Sequence, residues 1–103
     1  MGGARGGAGQ ILDGFALQLL RMKYKASITE DDIKNGDPLD CWNCAAARAI
    51  SRALGISVSV GLVFFTLLDG TGRFGRLPRS AQRFIRRYVD GLHVEPTSFY
   101  VEV

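Results

Sequence analysis

The run from Asn35 to Gly55, NGDPLDCWNCAAARAISRALG, carries both a start and a stop for one helix and constrains the fold more than any other stretch. Asn35-Gly36 is a turn dipeptide, because both residues tolerate positive φ. Asp37 can cap a helix that begins at Pro38, where a missing N–H costs nothing. Asp40 sits near the positive end of the helix dipole, and Gly55 suits a left-handed C-cap. Successive helical residues turn by about 100°. On that wheel Trp42, Ala45, Ala46, Ala49, Ile50, Ala53 and Leu54 share one broad face, and Cys41, Cys44, Arg48, Ser51 and Arg52 share the other. The alanines would let the helix lie close against a sheet, with Trp42 and Ile50 supplying bulk.

Cys41 and Cys44 therefore fall at a helix start beside arginines, a setting that lowers a thiol pKa. Three readings compete. A Cys-x-x-Cys pair at a helix start suits thiol–disulfide exchange, but the strand and proline order that such folds place around it is absent. Half of a zinc site is the second; four ligands are normally needed, and His93 is the one histidine available. The third is structural: two small residues in a tight helix start. The sequence favours the structural reading, with no catalytic residue and no cofactor, and leaves thiol redox chemistry on Cys41 and Cys44, or zinc on Cys41, Cys44 and His93, as the alternatives.

A chain of 103 residues, 47% of them hydrophobic, suits one modest core rather than two or a disordered polymer. Two cysteines do not make a disulfide-rich secreted scaffold. The longest apolar run, 58–68, is too short to span a membrane. No signal-peptide pattern is evident, so a cytoplasmic location is expected. The net charge of +3 conceals an uneven distribution. Glu30, Asp31, Asp32, Asp37 and Asp40 face Lys34 alone across residues 30–40, whereas residues 73–87 hold six arginines and no acid.

Taken in order, residues 1–9 are a glycine-rich lead expected to be flexible. Residues 10–21 read as an amphipathic helix with Ile11, Leu12, Phe15, Ala16 and Leu19 on one side, a surface suited to homodimer formation. From Met22 to Val103 a single α+β domain is expected. Lys23 to Thr29 alternates as a half-buried strand. Thr29 and Asp32 suggest a short capped helical turn. Asp31 and Asp32 point apart and read as solvated. Residues 56–68 form one long or two short buried strands, with Gly61 at a bulge or break. Asp69-Gly70 turns the chain into a return strand over 73–77. Pro78 opens a second helix, closed by Gly91, with Leu77, Ala81, Phe84, Ile85 and Tyr88 on its inward stripe. Thr97 to Val103 is the last strand. The order β-α-β-β-α-β suggests a four-stranded sheet with two helices on one face, and a ferredoxin-like split βαβ arrangement fits it. If the long apolar run folds on itself, a different α+β sheet results.

The arginines are the clearest surface feature. Arg79, Arg83, Arg86 and Arg87 share the outward face of the second helix, and Arg73 and Arg76 lead into it. Such a cluster suits phosphates or a carboxylate-rich protein surface, and an ordinary solvated face is the bland reading. For base stacking, Tyr100 and Phe74 are the rings left facing outward. His93 lies alone in a loop with no nucleophile pairable by spacing.

From Ile28 onward the chain resembles small, mostly uncharacterised proteins encoded by bacteriophages and prophages. The likeness rests on ITEDDIKNGDPLDCWNCAAARAISRAL, RLPRSAQRFIRRYVDG and VEPTSFYVEV; Ala45 stands where that pattern has proline. The resemblance implies no catalytic residue. It implies a compact accessory protein of the host-cell cytoplasm that acts by binding. The expectation is a non-enzymatic protein that binds a host or phage macromolecule, protein or nucleic acid, through Arg73, Arg76, Arg79, Arg83, Arg86 and Arg87.

Overall fold

The structure, a computed structural model, describes residues 22–103. The glycine-rich lead, the expected helix over residues 10–21 and the dimer contact assigned to it lie outside the described residues. Within them the chain runs β1 (Lys23–Ile28), α1 (Glu30–Asn35), α2 (Ala45–Leu54), β2 (Val58–Val60), β3 (Phe64–Leu67), β4 (Phe74–Arg76), α3 (Arg79–Val89) and β5 (Thr97–Glu102).

The class is α+β, but the single four-stranded sheet is replaced by two sheets among the described residues. One is the antiparallel pair β1–β5, with Ala26 opposite Phe99; the other is the antiparallel meander β2–β3–β4. The apolar run over residues 56–68 folds on itself, which is what removes the expected order. Leu62 and Val63 form the turn, the Gly61 N–H donates to the Phe64 carbonyl at 2.8 Å, and Val60 pairs with Phe65. This register turns Val58, Val60, Phe65 and Leu67 inward together. A ferredoxin-like order needs parallel neighbours, and every pairing among the described residues is antiparallel.

The two sheets meet at a close approach of backbone. A β-carbon on Gly75 of β4 would stand 2.8 Å from the Glu102 carbonyl of β5 and would also strike the Phe65 ring. Only glycine admits that contact. The inner faces of both sheets, α2 and α3 then share one core, in which Phe65, Ile50, Ile28, Leu77 and Val101 are buried.

Helix α2 starts later than the sequence suggests. Residues 37–43 form turns instead, with the Asp37 carboxylate accepting from the Leu39 N–H and the Asp40 carboxylate from the Trp42 N–H, both at 2.9 Å. Such local side-chain acceptors compete with a helical first turn. Cys44 becomes the N-cap, and Trp42, expected on the inner face, is 67% exposed. Gly36 also differs in its reason. Its φ of −76° is ordinary, but a β-carbon there would crowd the Asp32 carbonyl, the Ala45 N–H and the Tyr88 hydroxyl. At the other end of α2, Gly55 has the left-handed φ of 71° expected of its C-cap.

Asp32, expected to be solvated, is fully buried. It closes a capping box with Thr29: its N–H donates to the Thr29 hydroxyl at 3.1 Å, and its carboxylate accepts from the Thr29 N–H at 2.9 Å. Arg48 and Arg52, one turn apart on α2, donate to the same carboxylate at 3.2 Å and at 3.1 and 2.6 Å. Arg52 also donates to the Ser27 carbonyl of β1 at 2.9 Å. Burial pushes the Asp32 pKa up, but the Arg52 and Thr29 hydrogen bonds and the charge of Arg52, with Arg48, outweigh it and bring it down to about 2.

Because the folded pKa is depressed from 3.8 to about 2, the carboxylate contributes roughly 2 kcal/mol of stability above the unfolded value, lost as pH falls through the folded one. Asp32→Asn should therefore lower unfolding stability by roughly 2 kcal/mol at neutral pH, with the gap from the wild type closing between about pH 4 and pH 2. Denaturant unfolding across that range checks it; a gap that stays constant would show that the charge is not its source.

Candidate functional site

Helix α3 owes its orientation to its buried side. Ala81, Phe84, Ile85 and Tyr88 pack into the core, the Phe84 and Tyr88 rings stack with centroids 5.8 Å apart, and the Tyr88 hydroxyl donates to the Ile33 carbonyl at 3.2 Å. With that stripe inward, helical geometry turns Arg79, Arg83, Arg86 and Arg87 outward, and all four are exposed.

The six arginines expected to act together divide into four groups. Arg79, Arg83 and Arg86 have no ion-pair partner among the described residues. Arg87 is held by its own loop, donating through Nε and a terminal nitrogen to the His93 carbonyl at 3.2 and 3.0 Å. Arg73 belongs to the β3–β4 hairpin, where it lies 3.6 Å from Asp69. Arg76 stands on the outer face of β4, 5.9 Å from the centroid of the Phe64 ring opposite it in the ladder. Arg79 and Arg76 still share one shallow groove of about 260 Å³, completed by Tyr100, Gln82 and Glu102. Arg83 and Arg87 line a second, of about 440 Å³, beside His93 and Glu95.

The cysteines do not form the reactive pair that their spacing suggests. Cys41 is exposed; Cys44 is buried, and both are free thiols. The Cys44 sulfur caps α2 by accepting from the Ala47 N–H at 3.4 Å. Burial pushes its pKa up, against the lowering effect of the Ala47 and Ala46 N–H groups. The arginines expected nearby are turned instead to Asp32. The exposed His93 pairs with the exposed Glu95, and no group of three or more His, Cys, Asp or Glu side chains suited to a metal ion occurs among the described residues. Zinc on Cys41, Cys44 and His93 therefore does not fit the positions of these side chains.

One surface was only half visible beforehand. On the outer side of the sheets Phe74 and Tyr100 are 64% and 60% exposed, as their alternation suggested, and Phe64 joins them at 46%. Phe64 meets Phe74 edge to face, centroids 5.7 Å apart. The signal for Phe64 was the out–in–out–in alternation of β3, in which Phe64 and Thr66 share the outer face.

No family model, no curated protein and no solved structure matches the chain. No helix among the described residues is long and apolar enough to cross a membrane. The site must be read from its chemistry.

That chemistry separates the two thiols. A disulfide-exchange reagent should modify Cys41 promptly in the native protein and Cys44 only after denaturant is added. Titration with a chromogenic thiol reagent checks this, and two equally fast thiols would return the pair to contention as a redox centre.

Proposed function

We propose that this protein is a small, non-catalytic binding protein that meets an acidic macromolecule through the face of α3 carrying Arg79, Arg83 and Arg86. The observation that supports it is the absence of a carboxylate partner for any of the three among the described residues, on a helix whose rotation the core holds in place. A guanidinium left in water keeps its capacity for bidentate bonds to phosphate or carboxylate groups. Arg87 supports the surface by holding the loop at His93 against the helix end.

The bacteriophage-type sequence pattern favours an accessory role in a host-cell cytoplasm, with a host or phage macromolecule as the partner. Nucleic acid is favoured over an acidic protein by one further observation, the exposed Phe74 and Tyr100 rings.

Charge reversal tests the reading. The double variant R83E/R86E should raise the Kd for a labelled single-stranded oligonucleotide by about tenfold or more at low salt, and wild-type affinity should fall steeply as salt rises. Fluorescence anisotropy measures both, with an oligo-glutamate peptide as the protein-like probe. Equal affinity of wild type and variant for both probes would remove the arginine face from the account.

A further inference from the structure

The geometry points to a second binding surface on the outer face of the sheets, where Phe74 and Tyr100 stack bases of a single-stranded nucleic acid and Arg76, on the same face, meets a phosphate of its backbone. This inference rests on the polyanion reading above for the kind of partner but does not use Arg83 or Arg86; of the α3 cations Arg79 alone borders it, in the groove shared with Arg76 and Tyr100.

Two exposed rings stand on neighbouring sheets. Phe74 on β4 is 64% exposed and Tyr100 on β5 is 60% exposed. The strands approach closely enough that only glycine fits at position 75 beside the Glu102 carbonyl. Arg76 follows Phe74 two residues along the same strand, so both lie on one face. It also lines the groove that Tyr100 completes. Exposed rings with a cation on the same face supply what a single strand requires: π-faces for the bases and a positive group for the phosphate. Phe64, exposed on the neighbouring strand, flanks the arrangement, edge to face with Phe74 and with the Arg76 guanidinium over its ring.

The charge around this stripe is complementary to a polyanion. Lys25 stands directly opposite Tyr100 in the β1–β5 ladder, and Lys23 opposite Glu102. Glu102 is the one acid in the groove, and Lys23 is its cross-strand neighbour. The remaining outward positions, Ser27, Ser98 and Thr66, are small and polar, and Ser98 donates to Ser27 at 2.9 Å. Lysine is depleted from protein–protein interfaces, so Lys25 beside Tyr100 suits a polyanion better than an apolar protein patch. Nothing in the stripe reads the edge of a base, so the binding should be tolerant of sequence.

Anisotropy with labelled single-stranded DNA and RNA of mixed sequence, on the full chain at low salt, tests the inference. Phe74→Ala and Tyr100→Ala should each raise the Kd roughly tenfold, whereas Tyr100→Phe, which keeps the ring, should bind as the wild type does. Both positions are exposed, so the folding of the variants should be unaffected, and the wild type supplies an independent readout. On adding oligonucleotide, the ring protons of Phe74 and Tyr100 should shift upfield in the NMR spectrum. DNA bound as tightly as RNA fits stacking alone; a strong preference for RNA adds a contact to the 2′-hydroxyl without changing the stripe. If both alanine variants bind like wild type while R83E/R86E binds weakly, the sheet surface is overturned and the arginine helix stands. If the reverse holds, the sheet surface stands alone. No binding by the wild type would overturn it, as would a wild-type dimer in sedimentation that the alanine variants convert to monomer, which would make this face a contact between two copies.

Discussion

The Asp32 carboxylate is where the first strand, the first helix and the central helix are held to one another. It accepts from the Thr29 backbone, from Arg48 and twice from Arg52, and Arg52 reaches on to the Ser27 carbonyl. A buried carboxylate without these donors would cost several kcal/mol. With them it is a junction at which β1, α1 and α2 share one set of hydrogen bonds. Two arginines that would otherwise sit in water are committed to this interior task. The arginines of α3 are not, and that division separates structural cations from available ones.

Close backbone approach is the second constraint. Gly36 lets the end of α1 lie against the start of α2 and the Tyr88 hydroxyl, and Gly75 lets β4 lie against β5. The Tyr88 hydroxyl, bonded to the Ile33 carbonyl, ties α3 to the end of α1. Through Glu102 the second contact brings β4 and β5 side by side, so that Arg76 and Tyr100 share one groove.

Much of the local structure was legible in the chain. The alternation of β1 and β5, the Thr29–Asp32 capping box, the C-cap at Gly55, the break at Gly61 and the inward stripe of α3 all reappear, because each is set by residues within a turn or two of one another. The α2 start was not legible: Asp37 and Asp40 are equally good as helix caps and as turn acceptors, and the competition is settled by what packs around Cys44. The burial of Asp32 was also missed, although Arg48 and Arg52 at helical spacing beside a capping-box acid were the signal. Of the candidate site, the outward arginines of α3 were legible, while the pairing of Arg73 with Asp69 and the tie of Arg87 to the His93 carbonyl were not.

The sequence by itself determined the element types, most of their boundaries and which side of each helix and strand is apolar, since periodicity and capping act over a few residues. Only the tertiary structure decided that the run over residues 56–68 pairs with itself, that the strands divide between two sheets, and which charged groups are left without partners. Those outcomes depend on contacts between residues far apart in the chain: Asp32 with Arg52, Ile33 with Tyr88, Gly75 with Glu102. A local pattern states that a side chain is polar and outward; whether another element supplies its counter-charge is settled when the elements pack.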